Sequence, residues 1–442
     1  MPEDEKAKDG PRPTKADIPR LLALLEQSAP DDKWKAQLQL IGAYCDADEY
    51  PKALDAYKAC KDRVPDELKS ELVQAVTNVL EQYGEITEAI TLVTRRIKDL
   101  DVKGETRTAE MGRLQLKLGQ LIWRQGRLDE AMEHSQLALA IFTDDAFSMS
   151  DQIAVLTSMG MILWEKGDYD MALKCLDQGL EKAEAAGLED KIGNANNSLG
   201  LVHYQLGNYF LSLKHFGAAR VYSKDNRSTS MFVENNIGLV HQDMGDYHIA
   251  KLQYERCLQM SDELEHFVGM ALAHLNLGLL AIEMGDPDKA RDQLEESLSL
   301  CRHMKERWIQ ALNRIGLARA YIMKGNLSLA QHNAEMALKL GEEMKAKETR
   351  GMALRELGLV EELGGKADEA RRHLDESVSI FEAMRNRYEL AKSLLALGRF
   401  LAGVGKDATN GKKAFERALS IAKEIGAKGV QNNIEKALSA LT

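Results

Sequence analysis

Proline is scarce in this sequence, and nearly all of it lies at one end. Of the eight prolines among 442 residues, only Pro287 lies beyond residue 65. In α/β and all-β proteins of this length, proline is usually scattered through the loops and strand edges of the whole chain. A long stretch almost free of proline, in a chain that is 44% hydrophobic and 29% charged, predicts one helix after another. The same composition excludes collagen-like, mucin-like and disordered classes.

Several other features are missing as well. The five cysteines include no CxxC pair and are odd in number, which argues against a disulfide framework and against a zinc ribbon. The net charge of −11 is not the basic excess that nucleic-acid binding requires. No window approaches about 18 apolar residues, and the N-terminus lacks the apolar core of a signal peptide. We therefore expect a reduced cytoplasmic protein with no nucleic-acid partner and no membrane insertion.

A repeat of about 40 residues runs through most of the chain. The blocks TSMGMILWEKGDYDMALKCLDQGL and NSLGLVHYQLGNYFLSLKHFGAAR align without gaps on a glycine, which we call the anchor. Anchors recur at intervals of 38 to 41 residues: 38 from Gly200 to Gly238 and 41 from Gly119 to Gly160. The eight anchors are Gly119, Gly160, Gly200, Gly238, Gly278, Ala318, Gly358 and Gly398. Two weaker copies precede them, around Ile41 and Thr77.

Each repeat has the residues of an αα-hairpin at fixed positions. A second glycine follows every anchor by seven residues, from Gly126 to Gly405, where a left-handed residue can end a helix. A small residue lies twelve after the anchor in seven repeats and lets two antiparallel helices approach closely. In five repeats the second glycine is followed by a potential N-cap, namely Asp168, Asn208, Asp246, Asp286 and Asn326. The pattern predicts an all-α fold, an α-solenoid formed by a superhelix of αα-hairpins.

This pattern resembles the tetratricopeptide repeat over about nine tenths of the chain, although the usual period of that repeat is about 34 residues. The longer form is similar to the repeats of Leu-Gly-Asn-repeat polarity adaptors. It is also similar to the repeats of maltose-regulator-type sensors and of response-regulator phosphatases of Gram-positive bacteria. The resemblance implies an α-helical superhelix that binds peptides or protein segments along a concave surface lined by the first helices of the repeats.

The repeat divides the chain into five predicted segments. Residues 1–16 are expected to form a disordered tail and residues 17–33 an N-terminal capping helix. Two degenerate repeats occupy residues 34–106, and eight good repeats occupy residues 107–427. Residues 428–442 are expected to form a C-terminal capping helix, which a finite array of repeats needs for solubility.

Two groups of polar and aromatic residues are candidates for the concave surface. Aromatic residues lie four after the anchor in three successive repeats, and they either stack on a peptide or fill the core: Trp123, Trp164 and Tyr204. Amides lie shortly before three anchors: Asn197, Asn235, Asn236 and Asn276. In the resembling families an Asn two before the anchor holds the backbone of an extended ligand, a position that Asn236 and Asn276 share. The alternative is a structural hydrogen bond between neighbouring hairpins.

Apolar residues and cations complete the candidate peptide-binding groove. The position after the anchor is apolar in the middle of the array, at Leu201, Leu239 and Leu279. Towards the C-terminus four cations are expected on the same face: Arg319, Arg355, Lys392 and Arg399. Such a group would attract an acidic segment of a partner. The alternative is a set of solvated charges paired with nearby acids such as Glu356 and Glu362.

No catalytic motif is present: the sequence has no GxSxG, no HExxH and no phosphate-binding glycine loop. We therefore expect no catalytic residues, no cofactor and no metal site. The main hypothesis is a non-catalytic scaffold or adaptor that binds a peptide segment of a partner protein in the concave groove. The alternative is a signalling regulator whose array changes conformation when it binds a peptide or a small effector.

Overall fold

The computed structural model describes residues 14–46, 50–65, 68–82, 85–143, 148–224, 226–264, 266–304 and 307–441. Within these ranges the protein is all-α, with 22 α-helices and no strand. The chain forms two compact units, Met1–Phe147 and Ser148–Thr442. In both units consecutive helices pack against one another, so the predicted all-α solenoid of αα-hairpins is confirmed.

The first unit begins with a 3₁₀ turn at Lys15–Asp17 and contains seven α-helices in its described residues. They are α1 (Ile18–Gln27), α2 (Lys33–Asp46), α3 (Tyr50–Cys60), α4 (Lys69–Gln82), α5 (Ile86–Val102), α6 (Ala109–Arg124) and α7 (Leu128–Phe142). The first anchor, Gly119, lies on α6. The boundary between the units therefore falls inside the predicted block of eight repeats. Most of the predicted tail, residues 1–13, lies outside the described residues.

The second unit holds the remaining anchors, one on each even-numbered helix from α8 to α20. Its helices are α8 (Met149–Lys166), α9 (Tyr169–Ala185), α10 (Glu189–Gln205), α11 (Tyr209–Tyr222), α12 (Arg227–Met244), α13 (Tyr247–Glu263), α14 (Phe267–Glu283), α15 (Pro287–Met304), α16 (Arg307–Met323), α17 (Leu327–Glu343), α18 (Lys347–Leu363), α19 (Ala367–Ala383), α20 (Arg387–Ala402), α21 (Ala408–Ile425) and α22 (Lys428–Ser439). Even-numbered helices up to α20 are the first helices of their repeats, and odd-numbered helices are the second helices. The capping roles proposed for α1 and α22 stay predictions.

The anchor is small because a large side chain of the second helix packs directly against it. A Cβ added at Gly200 or Gly238 would lie 2.5 Å from the ring of Phe216 or Tyr254, respectively. The packing residue follows its anchor by sixteen positions, so Ala334 is the counterpart of Ala318. Here the anchor has a Cβ and the partner is reduced to alanine, both fully buried. The methyl group that Ala318 adds therefore meets a smaller partner and does not clash with it.

The second glycine ends the first helix as predicted in seven of the eight repeats. For example, φ is +82° at Gly167 and +84° at Gly245. The prediction is wrong for Gly405, because the positive φ of that turn belongs to Lys406, at +49°. The last turn is one residue longer than the others, so its left-handed position has shifted by one. Among the predicted N-caps, Asp168, Asp286 and Asn326 accept the expected backbone hydrogen bond, whereas Asn208 and Asp246 do not.

The second unit has two edges, one at each end of its hairpins. The turn edge consists of the turns that join the first and second helix within each repeat. The link edge consists of the connections from each second helix to the next first helix. Turns of the repeats anchored at Gly160, Gly200 and Gly238 pack against links near the C-terminus. Tyr169 Oη donates a hydrogen bond to the carbonyl of Met384, at 2.9 Å, and the hydroxyl of Tyr247 lies against Gly429.

Gly207 lies at the contact between the two edges and offers a test of it. At Gly207 φ is +75°, and a Cβ there would overlap the side chain of Ile425. At Gly285, the same position two repeats later, φ is +81° and nothing lies within 4 Å of an added Cβ. Gly285→Ala should cost only the left-handed strain, about 1–2 kcal/mol. Gly207→Ala should cost at least about 1 kcal/mol more, because the packing must also open.

Urea unfolding of the two variants measures this difference directly. Both substitutions add the same methyl group at the same position of the repeat, so the backbone penalty cancels. Equal losses of unfolding free energy would show that the edges are not in contact in solution.

Candidate functional site

The first helices form the inner face of the second unit. Successive first helices contact one another, as α14 and α16 or α16 and α18 do, and contacts of this strength are not made between successive second helices of the described chain. The stack therefore curves with the first helices inside. Of the fourteen predicted site residues, Trp123 is half-buried on α6 in the first unit. The other thirteen lie on first helices of the second unit.

The amides form two hydrogen-bonded pairs between neighbouring first helices. Asn236 donates from Nδ2 to Oδ1 of Asn197 at 3.0 Å, and this pair is half-buried. Asn276 donates in the same way to Asn235 at 2.6 Å, and both residues are 5% exposed. In each pair the donor lies two residues before the anchor of its own repeat. The acceptor lies three residues before the anchor of the preceding repeat. The Asn235–Asn276 pair is therefore a structural hydrogen bond between neighbouring hairpins, which was the alternative raised from the sequence.

Three apolar residues lie about one helical turn beyond the accessible pair. Leu201, Leu239 and Leu279 follow their anchors directly and are half-buried on α10, α12 and α14. Because they lie on neighbouring first helices, they form a short apolar strip along the inner face. The Asn197–Asn236 pair lies on the first two of these helices, about one turn before the leucines.

Two of the predicted aromatic residues differ in what they contact. Trp164 is half-buried and packs in a cluster with Tyr169 and Leu199. Its Nε1 is buried and has no hydrogen-bond partner among the described residues. The hydroxyl of Tyr204 instead donates to Oδ2 of Asp243 at 2.8 Å, across the α10–α12 contact. Trp164 therefore has the environment of a packing residue, and Tyr204 belongs to a polar cluster.

The four predicted cations all lie beside carboxylates of the same chain. Arg319 donates from Nη2 to Glu356 at 3.0 Å, and Lys392 lies 3.5 Å from Glu389 and 3.9 Å from Glu283. Arg399 is exposed and has Glu362 as its nearby acid.

Arg355 differs from the other three cations because it is only 2% exposed. Its Nη1 is paired with the carboxylate of Glu389 and lies 3.3 Å from the Ser393 hydroxyl. A ligand could reach it only by displacing these partners. The charges thus lie beside acids, as the second interpretation of the sequence proposed, but Arg355 is buried where that interpretation expected a solvated charge.

A buried carboxyl that sequence reasoning missed lies at the centre of this region. Asp243 accepts hydrogen bonds from Tyr204 and, at 3.3 Å, from Tyr209. Burial raises the pKa of Asp243 to about 7, although the Tyr204 hydrogen bond and the charge of Lys392 act in the opposite direction. Tyr388, which has the ammonium of Lys392 5.1 Å from its ring centre, also faces the Asp243 carboxyl.

The sequence gives no signal for this cluster, because its members come from repeats far apart in the chain. Asp243 precedes the second glycine of its repeat by two positions, where other repeats have Met323 or Leu363. The contact between turn and link edges brings α20 to it. Among the described residues, no group of three or more His, Cys, Asp or Glu could hold a metal ion. No helix in the described part is long and apolar enough to cross a membrane.

Comparison with known proteins supports the repeat type. The tetratricopeptide repeat model matches residues 110–185 and 227–303, so these parts of the chain are tetratricopeptide repeats. No curated protein sequence matches the chain.

Three of the solved structures that share the fold illustrate the likeness. A Rap protein complexed with Competence and Sporulation Factor has a TM-score of 0.59 and 14% identity, over 82% of this chain and 99% of that chain. The Rap conjugation gene regulator of plasmid pLS20 in complex with the Phr* peptide has a TM-score of 0.55 and 15% identity, over 76% and 95%. Aspartyl phosphate phosphatase F from Bacillus subtilis has a TM-score of 0.54 and 12% identity, over 82% and 96%. At these identities the likeness is one of fold.

Proposed function

We propose that the second unit binds an extended peptide segment of a partner protein along its inner face, as a scaffold or adaptor. The observation that carries this proposal is the half-buried Asn197–Asn236 pair beside the strip of Leu201, Leu239 and Leu279. A ligand on this face would bury the leucines, each worth up to about 1.5–3 kcal/mol if fully removed from water.

The amide pair has the chemistry to hold a main chain. Its internal hydrogen bond uses one N–H of Asn236 and the carbonyl of Asn197. Oδ1 of Asn236 and the Nδ2 hydrogens of Asn197 make no other side-chain hydrogen bond to the described residues. They offer one acceptor and one donor side by side, which matches the N–H and C=O of a peptide unit.

The structural neighbours are consistent with such a ligand. One of them is in complex with the Phr* peptide, so the fold can receive a peptide. Another is named a phosphatase, but a likeness of fold transfers no activity. An acidic ligand has less support than the sequence suggested, because the cations of the inner face are beside carboxylates.

A matched pair of variants tests the proposal. Peptides selected from a display library on the purified protein would be measured by fluorescence anisotropy against Asn236→Ala and Asn276→Ala, two amides at the same position of the repeat. Asn236→Ala should weaken binding by about 5–30-fold, the loss of 1–2 kcal/mol of hydrogen bonding, with little change in stability. Asn276→Ala should lower the unfolding free energy by about 1–3 kcal/mol, because it leaves Asn235 buried without its partner.

The same measurements can also refute the proposed peptide site. Selected peptides that bind Asn236→Ala and Asn197→Ala as tightly as the unaltered protein would rule out this face as the site. The net charge of the selected peptides reports directly whether the ligand is acidic.

The second candidate function is a regulator that changes conformation on binding. It is favoured by the Asp243 cluster, which lies next to the inner face. This cluster connects α12 to α20, two helices that are far apart in the sequence. A selected peptide would then change the distance between spin labels on α13 and α21. An unchanged distance would exclude the regulator and leave the scaffold as the remaining candidate function.

A further inference from the structure

The turn edge of the second unit is covered in its early repeats and uncovered in its later ones. In the repeats anchored at Gly200 and Gly238, Leu206 and Met244 lie just before the second glycine and are partly buried. In the later repeats Met284 and Val404 lie one residue before theirs, Met323 and Leu363 lie two residues before theirs, and these side chains are 41–58% exposed.

The covering of the early turns shows what fits this edge. It is the protein's own link edge: Met384 lies at the link between α19 and α20, and Ile425 and Gly429 lie at the link between α21 and α22. One apolar cluster contains Val240 of an early repeat together with Phe415 and Val430 from the C-terminal helices. The later turns are more open, because no described atom lies within 4 Å of a Cβ added at Gly285, Gly325 or Gly365.

The link edge is also incompletely used. Its C-terminal part covers the early turns, but its earlier part exposes apolar side chains at the starts of first helices. Met149 and Phe267, the first residues of α8 and α14, are 41% and 47% exposed. Trp308, the second residue of α16, holds the position that Tyr388 holds on α20, and it is 43% exposed. Tyr388 is one of the residues that reach the early turns.

We propose that the uncovered turn edge binds the link edge of a second copy of this chain, so that copies associate head to tail. The contact would repeat between molecules the packing that joins early turns to late links within one molecule. The row of four apolar residues is continuous with that intramolecular contact, because the repeat anchored at Gly278 directly follows the one anchored at Gly238. The proposal is independent of the peptide site, which lies on the inner face.

The type of contact makes a specific prediction about stoichiometry. Two different surfaces meet, so the association is heterologous, and a pair of copies keeps one unused turn edge and one unused link edge for further copies. Four exposed apolar side chains make a small interface, for which weak, concentration-dependent association is expected. A two-fold symmetric dimer would instead use the same surface on both copies.

Sedimentation velocity over a range of protein concentrations tests the proposal with two edge variants. Met284→Glu/Leu363→Glu alters the turn edge, and Phe267→Glu alters the link edge. The unaltered protein should show a sedimentation coefficient that rises with concentration, and each variant alone should stay monomeric. An equimolar mixture should form a heterodimer and nothing larger, because one intact turn edge and one intact link edge remain.

A control and three outcomes make the test decisive. Leu137→Glu/Leu252→Glu alters side chains that are 50% exposed and lie more than one turn from either end of the second helices α7 and α13, and it should leave association unchanged. Circular dichroism confirms that these surface variants remain folded. A monomeric unaltered protein at all concentrations would overturn the proposal, and so would association that survives the turn-edge variant. A mixture that stays monomeric would exclude the head-to-tail arrangement.

Discussion

Replacement of Arg355 by methionine is expected to lower the unfolding free energy of the second unit by about 3–5 kcal/mol. The guanidinium is 2% exposed and is paired with Glu389 on α20, with Glu356 3.5 Å from its Nε. Methionine fills much of the same volume but removes the charge, so that Glu389 is left buried without its closest partner. The cost is that of an uncompensated buried carboxylate.

The pKa of Glu389 shows how strongly the pair is coupled. Burial alone would raise this pKa, but the charges of Arg355 and Lys392 lower it to about 2. Because the folded-state pKa lies below the usual value of 4.5, the carboxylate contributes stability above pH 4.5, and this contribution is lost as the pH falls towards 2. In Arg355→Met the stability at neutral pH should therefore be lower, and its dependence on acid weaker.

Urea unfolding, followed by circular dichroism, measures the effect. Arg387→Met is the matched control, because Arg387 pairs with Glu424 near the surface, where an ion pair contributes at most about 1 kcal/mol. The double variant Arg355→Met/Glu389→Gln should recover part of the loss, since the buried charge is gone. Similar losses for Arg355→Met and Arg387→Met would contradict the burial of the Arg355 pair.

The second large effect is expected at Asp243. Its pKa of about 7 is above the value of 3.8 for an exposed aspartate. The folded protein therefore holds a proton that the unfolded chain releases, and stability falls between about pH 4 and pH 7 as the pH rises. The slope is roughly 1.4 kcal/mol per pH unit for one such group, which amounts to several kcal/mol over this range.

Asp243→Asn should remove this dependence. An amide keeps an oxygen that can accept from Tyr204 and Tyr209 but carries no charge at any pH. The variant should match the unaltered protein near pH 5 and exceed it in unfolding free energy at pH 8. Asp246→Asn, in the same turn and with a carboxylate that is 38% exposed, should have little effect. Parallel pH profiles for Asp243→Asn and the unaltered protein would refute the role given to this carboxyl.

The repeat itself could be predicted from sequence because its determinants are local. One hairpin is specified by a glycine anchor, a turn glycine seven residues later and a small residue five residues after that. The structure confirms these three features at Gly160, Gly167 and Ala172. The anchor that is not glycine is also accommodated locally, because Ala318 has the small side chain of Ala334 opposite it. The failure at Gly405 is a one-residue change of turn length, which the spacing of glycines does not encode.

The site was predicted less completely because its partners come from different turns of the array. Sequence placed Asn197 and Asn236 on one face but could not show that they bond to each other. It placed Lys392 among cations, whereas Glu283 lies more than a hundred residues away in the chain. The curvature of the stack determines which repeats meet, and this is a sum of small rotations that no single repeat specifies.

The hydrogen bond from Tyr169 to Met384 spans 215 residues of sequence, and this separation has a consequence for synthesis. Domains emerge from the ribosome N-terminus first, so the hairpins around Tyr169, Gly207 and Gly245 are complete while α20, α21 and α22 are still being made. For that interval the tyrosines and leucines of the early turns are open to solvent and to other chains. The early turns in the middle of the chain are therefore covered only after the helices that pack on them have been translated.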